Sequence, residues 1–148
     1  RNVLKIKDAN SEEIDPKTKN PIIHSIPFNE KYQVIKGEGT SMRLGTFDCI
    51  VKKNTLTHEI YSKHNGFENT TKSVIAERHR HRFEFNNKYR EQFEKNGFII
   101  SGTSPDNFFV EFIELPKETH PFFIATEYKS SPQEPHPVFI EFLSKTSK

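Results

Sequence analysis

Segments typical of strands alternate with segments typical of helices along this sequence of 148 residues, which predicts a mixed α/β or α+β fold. Short apolar runs bounded by turn-forming residues indicate the strands. Apolar residues spaced four apart behind capping residues indicate the helices. Hydrophobic residues make up only 32% of the sequence, so we expect its 14 phenylalanines to supply much of the core. Periodicity alone leaves the choice between the two fold classes open.

The first half of the sequence predicts two strands and one helix. Residues 21–28 and 47–51 are apolar runs between polar flanks, and both are predicted strands. The glycines within 36–40 predict a loop between them. Residues 54–64 begin with capping side chains and carry two apolar residues four positions apart, which predicts a helix. A polar loop at 65–73 follows it.

The second half predicts a helix, a hairpin and a helical end. A helix is expected at 86–97, with Asn87 as its cap and Gly97 at its end. Two apolar runs, 98–102 and 108–115, flank a Ser-Pro-Asp-Asn turn and predict a β-hairpin. The remaining predicted elements are a strand at 122–126, a proline-rich loop at 130–137 and a terminal helix at 138–145.

Composition and charge exclude several classes of function. The net charge of +2 is too balanced to favour nucleic acid as a partner. No stretch approaches the roughly 18 consecutive apolar residues of a membrane span, so no membrane partner is predicted. A single cysteine, Cys49, excludes an intramolecular disulfide and a zinc site built from several cysteines. We therefore expect a reducing, cytoplasmic location.

The most unusual stretch is residues 77–86, with the sequence ERHRHRFEFN. In an extended conformation its side chains alternate between two faces. One face then carries a row of guanidinium groups, which suit a carboxylate or phosphate ligand because the planar fork binds either in bidentate fashion. That row is Arg78, Arg80 and Arg82. The alternative is a strand whose arginines pair with Glu77 and Glu84.

The opposite face of the same stretch carries His79 and His81. Two histidines on one strand face are candidate metal ligands, but no third ligand has a suitable spacing. No metal site is therefore predicted. A nucleic-acid module that uses the arginines together with Phe83 and Phe85 is a further alternative, against which the balanced charge argues.

Several motifs of the sequence, in the order in which they occur, resemble the C-terminal region of the CTP synthase family. The ERHRHRFEFN stretch, the following helix and hairpin, and His120–Pro121–Phe122–Phe123 are similar to the family's pattern. Arg1–Asn2–Val3 with the nearby Ala-Asn-Ser, and the GTSMRLG sequence at 39–45, resemble two further family segments, the second with Ser41 inserted. The resemblance covers nearly the whole chain.

This resemblance implies a class I glutamine amidotransferase fold, an α/β domain with a mostly parallel central sheet, flanking helices and a β-hairpin. It implies that glutamine is the substrate, hydrolysed by a Cys-His-Glu triad to supply ammonia. A synthetase domain of the same protein then uses the ammonia to convert UTP to CTP, with ATP and Mg as its cofactors and GTP as activator. The resemblance also implies a homo-oligomer of the full-length enzyme and a role in pyrimidine nucleotide biosynthesis.

Three positions match functional residues of the family. Glu127 matches the triad glutamate, and Arg82 matches the arginine that holds the α-carboxylate of glutamine. Arg43 matches the lid region associated with GTP activation. Cys49 does not match the nucleophile, and we expect it to be a small buried residue. The two His-Pro pairs, at His120 and His136, match non-catalytic positions of the family.

The triad cysteine and histidine are not among these residues. The family's nucleophile lies upstream of the Arg-Asn-Val segment, and its Q-(F/Y)-H-P sequence is missing between Thr126 and Glu127. Either the protein lacks both and is a catalytically dead binding or assembly module, or residues 1–148 are joined pieces of a longer chain that carries them. We expect the second, so that 1–148 form the C-terminal portion of one amidotransferase domain. The chain alone is then expected to be inactive.

Overall fold

The computed structural model describes residues 3–26, 35–36, 41–131, 133 and 135–146. In these residues the strands are β1 (Ala9–Ser11), β2 (Asn20–Ser25), β3 (Ile35–Lys36), β4 (Ser41–Val51), β5 (Val74–His81), β6 (Phe83–Phe85), β7 (Ile99–Thr103), β8 (Val110–Glu114) and β9 (Ile124–Thr126). The α-helices are α1 (Leu56–Lys63), α2 (Arg90–Lys95) and α3 (Pro137–Thr146), and a 3-10 turn at Asn87–Tyr89 precedes α2.

The described strands form two sheets. The smaller sheet has the order β1-β2-β6, and the larger has the order β3-β4-β7-β8-β9 with β5 paired to β4. Strand β5 runs antiparallel to β4 in an unbroken register from Arg43 opposite His81 to Ile50 opposite Val74. This pairing confirms that the arginine-rich stretch is extended, and it makes β4 the link between β5 and the hairpin strands.

The mixed α/β class is confirmed, but the expectation of a mostly parallel sheet is wrong for the described residues. Only β1 and β2 pair in parallel there, and the other pairings are antiparallel. The short connection explains the antiparallel pairing of β7 with β8, because a parallel neighbour needs a crossover of about a dozen or more residues. The β7–β8 link is instead a tight turn, in which the Ser104 hydroxyl accepts a hydrogen bond from the Phe109 N–H at 2.9 Å.

The predicted elements agree with the structure at their centres and differ at their ends. The strand expected at 47–51 is the second half of β4, which begins at Ser41. The helix expected at 86–97 is divided into the 3-10 turn and α2, and its cap is Asn86, whose side chain accepts from the Lys88 N–H. The hairpin and the first and last helices are confirmed. Residues 27–28 and most of the loop expected at 36–40 lie outside the described residues.

Aromatic side chains supply much of the core, as the composition predicted. One buried cluster joins the α1 side chains Ile60 and Tyr61 to Phe112 on β8. A second cluster, between α2 and the two sheets, is built largely from Phe85, Tyr89, Phe93 and Phe98. None of the helices in the described part of the chain is long and apolar enough to cross a bilayer.

A buried carboxylate fixes α1 against the larger sheet. Glu114, at the end of β8, is 2% exposed and accepts hydrogen bonds from the Leu56 N–H at 2.8 Å and the Thr57 N–H at 2.9 Å. The Thr57 hydroxyl donates to the same carboxylate at 2.7 Å. The first N–H groups of a helix lack partners within the helix and lie at the positive end of its dipole. Glu114 therefore caps α1 from a neighbouring strand.

The start of α3 is fixed by a second buried polar group. His136 is 6% exposed, and its Nε2 lies 2.7 Å from the Tyr61 hydroxyl and 3.1 Å from a Glu77 carboxylate oxygen. Its Nδ1 accepts from the Val138 N–H at the first turn of α3. His136 thus joins α1, β5 and α3 through both ring nitrogens, and its non-catalytic role stays a prediction.

Candidate active site

A cluster of buried or half-buried ionisable side chains lies between β4, β5, β6, β8 and the end of β9. Its carboxylates outnumber its guanidinium groups, and two histidines lie among them. The members are Arg43, His79, His81, Glu84, Glu111 and Glu127. Here the structure brings together two predicted site residues, Glu127 and Arg43, with the histidine pair of β5 and two further carboxyl groups.

Arg43 forms a buried ion pair with Glu111 at the centre of this cluster. Its Nη1 lies 2.7 Å from Glu111 Oε1, and the two side chains are 3% and 1% exposed. The guanidinium lies over the rings of Phe47 and Phe109, with 4.5 Å and 4.3 Å to their centroids. The structure therefore buries Arg43 on β4, and the sequence at 37–40 that precedes this strand lies outside the described residues. Its role in GTP activation stays a prediction.

Glu127 follows β9 directly and has a strongly perturbed acidity. Its Oε2 lies 3.3 Å from His81 Nδ1, and its side chain is 24% exposed. Burial, reinforced by the charges of Glu84 and Glu111 and opposed by that of Arg43, raises the pKa of Glu127 to about 8. Groups whose acidity is shifted toward neutral pH by burial and specific charges are typical of functional sites.

Glu84 is the second carboxylate of the cluster with a raised pKa. It lies on β6, is 4% exposed, and faces His24 Nε2 at 3.7 Å through Oε1. Burial raises the pKa of Glu84 to about 8, which Arg43 opposes and Glu111 reinforces. Its Oε2 has no hydrogen-bond partner among the described residues. Burial is thus the main reason that protons are retained here near neutral pH, and the charge of one guanidinium offsets it only in part for three carboxyl groups.

His79 and His81 are neutral members of the cluster. Burial, with help from the Arg43 charge, lowers the pKa of His79 to about 2. Burial also lowers the pKa of His81, to about 4. Both side chains point inward, whereas Arg78 and Arg80 on the same strand are exposed, as the alternation predicted. No group of three His, Cys, Asp or Glu among the described residues is arranged to hold a metal ion.

Arg82 lies just after β5, whose last residue is the cluster member His81. It directly follows His81, which contacts Glu127, and its side chain is half-buried. Its backbone carbonyl accepts from the Ile26 N–H at 2.9 Å, which joins β5 to the end of β2. The alternative was that the arginines form ion pairs with Glu77 and Glu84. No such pair is found among the described residues for the exposed Arg78 and Arg80. Glu77 instead contacts Tyr61 and His136, and Glu84 faces His24.

A cavity of about 180 Å³ lies between the two sheets next to Glu127. The Glu111 and Glu127 carboxylates lie on its wall, and the rest is mostly apolar, including Ile23, Phe85 and Phe112. A small, largely apolar cavity with a few convergent polar groups is typical of a ligand site.

Cys49 lies in the core on β4, in an environment that does not suit a nucleophile. It is fully buried, and burial raises the pKa of its thiol far above the ordinary range. A side chain added at Gly102 would lie 2.9 Å from the Cys49 sulfur, so the backbone of β7 approaches this thiol closely. Only the thiolate is nucleophilic. The prediction of a small buried residue is therefore confirmed.

Sequence reasoning missed Glu84, Glu111 and the histidine pair as members of one site. The available signal was a carboxylate inside an apolar strand, Glu111 between Val110 and Phe112. A buried acid in such a position requires a partner. The partner, Arg43, is far away in the sequence, so that signal alone could not identify it.

The comparison with solved structures gives the class of this fold, which is that of a glutaminase domain. The chain matches the structure described as "Trypanosoma brucei CTPS - glutaminase domain with bound acivicin" with a TM-score of 0.75 and 31% sequence identity. The match covers 99% of this chain and 53% of that one. No protein-family model matches the sequence.

Curated relatives give the family. A protein named CTP synthase from Prochlorococcus marinus is 47% identical over 148 residues, which is 100% of this chain and 23% of the relative. Another, from Staphylococcus aureus, is 46% identical over 128 residues, which is 86% of this chain and 21% of the relative. The chain belongs to the CTP synthase family, and it spans only about a fifth of the length of these relatives.

Proposed function

We propose that this chain supplies the triad glutamate and the glutamine-binding arginine of a CTP synthase. The observation that carries the proposal is the position of Glu127, a mostly buried carboxylate directly after β9 that contacts His81 at 3.3 Å. Arg82, the residue expected to bind glutamine, comes next to that histidine in the chain. The similarity to a structure described as a glutaminase domain supports the same activity.

In this proposal Glu127 orients the catalytic histidine, which lies outside these residues. A carboxylate that accepts the imidazole N–H fixes the tautomer of the ring and stabilises the imidazolium that forms when the ring takes the proton of the nucleophile. Burial, which with the neighbouring charges raises the pKa of Glu127 to about 8, keeps this carboxyl protonated near neutral pH until a cation forms beside it, and the ionised carboxylate is then little solvated. Such a group interacts strongly with a cation that forms beside it.

Arg82 is proposed to bind the α-carboxylate of glutamine. The guanidinium fork offers two parallel N–H donors to a carboxylate, which fixes the orientation of the ligand as well as its position. Orientation of the substrate is needed because the bond that breaks is in the side-chain amide, at the far end of the molecule.

We propose that these residues are the C-terminal portion of the amidotransferase domain and that its nucleophile-bearing part packs on α3. Helix α3 supports this because it buries a charged residue on its inward face and exposes apolar residues on its outward face. Its inward face buries Glu141 against Lys63 at 2.6 Å and His64 at 3.6 Å, while its outward face is apolar. The exposed apolar residues are Phe139, Ile140, Phe142 and Leu143, which are 40% to 61% exposed. A contiguous apolar surface of this kind is typical of a covered interface.

The remaining parts of the enzyme are proposed from the family. A synthetase domain of the same protein would hold ATP and Mg and use the ammonia to convert UTP to CTP in pyrimidine nucleotide biosynthesis. GTP would act as the activator, with Arg43 beside the responsive segment. The full-length enzyme would be a cytoplasmic homo-oligomer, and ATP and Mg would bind outside the residues described here.

The test uses the full-length protein and measures glutamate release and CTP formation. We expect glutamine-dependent CTP formation by the wild type, and a loss in kcat of at least about 100-fold for Glu127→Gln. Arg82→Ala should instead raise KM for glutamine by about 10- to 100-fold, since it removes a charge-assisted hydrogen bond. Arg80→Ala, an exposed residue on the same strand, is the matched control.

Free ammonia in place of glutamine is the internal control reaction. The Glu127→Gln variant should form CTP from ammonia at the wild-type rate, because the synthetase chemistry does not need the triad. A folded wild type that uses ammonia but releases no glutamate from glutamine would refute the proposed function and would favour a catalytically dead amidotransferase module.

A further inference from the structure

A pocket of about 290 Å³ lies between β5, the segment that follows β9 and the start of α3. Two exposed cationic residues, Arg78 and Lys129, lie on its wall, together with the hydroxyl-bearing residues Ser130 and Ser131. Its volume is near the lower end of the roughly 300–1,000 Å³ that is typical of ligand sites, so the pocket suits a small ligand. Arg78 is also the first of the three arginines whose spacing indicated a carboxylate or phosphate ligand.

Backbone pairing places the two cations side by side. An antiparallel bridge between His79 and Tyr128 sets the register of this segment on β5. Arg78 is therefore opposite Lys129, and the Lys129 N–H donates to the Arg78 carbonyl oxygen at 2.9 Å. Side chains directly opposite in an antiparallel pair lie on one face, and like charges there destabilise the fold. An anion bound between the two side chains would remove this repulsion.

No acidic side chain of the described residues neutralises this pair. Arg78 and Lys129 make no ion pair and no side-chain hydrogen bond with those residues. Glu77, an acid on the pocket wall, is engaged elsewhere. It accepts from the Tyr61 hydroxyl, and one of its oxygens lies 3.1 Å from His136 Nε2. Both cations are thus available to a ligand from solution.

The Ser130 hydroxyl is a third donor in the pocket. Its Oγ accepts the His136 N–H at 3.2 Å, and no acceptor for its own hydrogen is found among the described residues. His136 is buried and its Nδ1 accepts from the first turn of α3, so Ser130 is fixed on a rigid neighbour. The Ser131 hydroxyl, in contrast, donates to Gln133 Oε1 at 3.0 Å. The pocket therefore presents a guanidinium, an ammonium and a hydroxyl as donors.

This donor set suits phosphate better than carboxylate. A phosphate monoester carries a charge of about −1.5 to −2 at neutral pH and three acceptor oxygens. Two cations match that charge, and three separate donor groups match the number of oxygens. A carboxylate has one charge and two oxygens, which the Arg78 fork alone would satisfy.

We propose that this pocket binds a phosphate group, with Arg78 and Lys129 on its charged oxygens and the Ser130 hydroxyl on a third oxygen. The free phosphate ion and a small phosphate ester present the same chemistry and are two sources of it. The inference goes beyond the proposed function, because none of these three residues takes part in the proposed hydrolysis of glutamine. It accounts for two like charges opposite each other, an arrangement that without a ligand only destabilises the fold.

Acetylation of Lys129 in the full-length protein reports directly on the pocket. An amine-directed acetylating reagent is used in phosphate-free buffer at constant ionic strength, and peptide mass spectrometry gives the rate at each lysine. A saturating concentration of inorganic phosphate should slow acetylation of Lys129 at least about 5-fold, because only the unoccupied pocket reacts. Lys95, which is exposed and paired with Glu91, is the matched lysine and should react at an unchanged rate.

Phenyl phosphate and acetate, each at the same ionic strength, identify the ligand. Protection of Lys129 at a lower concentration of phenyl phosphate than of inorganic phosphate would assign an ester as the ligand, and the reverse order would assign the free ion. Acetate should protect Lys129 much less than either. Equal protection by acetate would overturn the choice of phosphate.

Two arginine variants test the site itself. Arg78→Gln should abolish the protection of Lys129 by phosphate, because the guanidinium fork is lost. Arg80→Gln is the matched control, since Arg80 is exposed on the same strand outside the pocket wall and its loss should leave the protection intact. Protection that persists in Arg78→Gln, or equal protection of Lys95, would overturn the proposal.

A second measurement needs neither the reactivity of Lys129 nor the Arg78 variant. A ligand that binds the folded state raises the melting temperature by mass action. At one phosphate concentration the rise should be smaller in Lys129→Gln than in the wild type, whereas Lys95→Gln should match the wild type. Equal rises in Lys129→Gln and the wild type would overturn the proposal. Both measurements are independent of glutamine hydrolysis, so failure of this site leaves the proposed function intact.

Discussion

The Arg43 guanidinium and the Glu111 carboxylate, 2.7 Å apart, form an ion pair with both side chains at most 3% exposed. The two residues lie on β4 and β8, two strands of the larger sheet that are not adjacent to each other. A buried ion pair adds little to the stability of the folded protein compared with well-packed apolar residues in its place. Loss of one partner, however, leaves a buried charge without compensation. The two residues therefore depend strongly on each other.

Arg43→Met is expected to destabilise the protein by about 3 kcal/mol or more, because Glu111 is left buried without its cation. The double variant Arg43→Met/Glu111→Leu should recover most of that loss. Thermal melting of the full-length protein measures both effects. Lys95→Met, which removes the exposed pair between Lys95 and Glu91, is the control and should change stability by less than about 1 kcal/mol. Normal melting of Arg43→Met together with a loss of GTP activation would instead favour the lid role.

Stability should fall as pH rises through the range in which Glu84 and Glu127 ionise. Burial raises the pKa of both carboxyls to about 8, far above that of the unfolded chain, so the folded state holds extra protons between these values. Their contribution to stability is complete below about pH 4 and is lost as pH approaches about 8. Melting temperatures measured from pH 5.5 to 8.5 should decrease, and Glu84→Gln should reduce the slope. An unchanged slope in that variant would contradict the assignment for Glu84.

Cys49 should be inert in the folded protein. Its thiol is fully buried and its pKa is raised by burial, so a thiol reagent should not modify it until the protein unfolds. Cys49→Ala should leave glutamine hydrolysis unchanged below the melting temperature, whereas Cys49→Ser should cost about 1–3 kcal/mol because it buries a hydroxyl. Loss of hydrolysis in a stable Cys49→Ala variant would contradict this interpretation.

The Glu114 cap should control the stability of α1. Removal of the carboxylate in Glu114→Ala leaves the Leu56 and Thr57 N–H groups without this partner and leaves the Thr57 hydroxyl only Ser101, which should cost about 2–3 kcal/mol. Hydrogen exchange at the Leu56 and Thr57 amides should accelerate more than exchange in the β7–β8 hairpin. Glu118→Ala, an exposed acid on the loop after β8, is the matched control and should change neither. Uniform acceleration across the domain would argue against a local cap.

The sequence predicted the elements whose pattern is local. Alternation of side chains along 77–82 is a property of any strand, and the Ser-Pro-Asp-Asn turn is sufficient to define the β7–β8 hairpin. The first half of β4 was missed because Leu44, Gly45 and Thr46 are exposed and show no apolar alternation. Its extended conformation depends on pairing with β5, a contact between distant parts of the chain.

The candidate site was predictable only in part, for a similar reason. Resemblance to a family pointed to Glu127 and Arg82, but no local pattern shows that Glu84, Glu111 and Glu127 share one guanidinium. Their raised pKa values arise from burial, which the fold creates and the sequence does not display. The mostly parallel sheet, expected from the family as a whole, is not found in the described residues, where only β1 and β2 pair in parallel.

The apolar face of α3 should be covered in the full-length protein. Leu143 is 61% exposed here, and a substitution at a truly exposed position changes stability by only about 0.5 kcal/mol. If the rest of the domain packs on this face, Leu143→Glu buries a charge and should lower the melting temperature by several degrees, since burial of a leucine alone contributes about 1.5–3 kcal/mol. Gln92→Glu, on the exposed side of α2, is the matched control and should be neutral. A melting temperature for full-length Leu143→Glu equal to that of the wild type would show that this face is open to solvent and would refute the proposed packing.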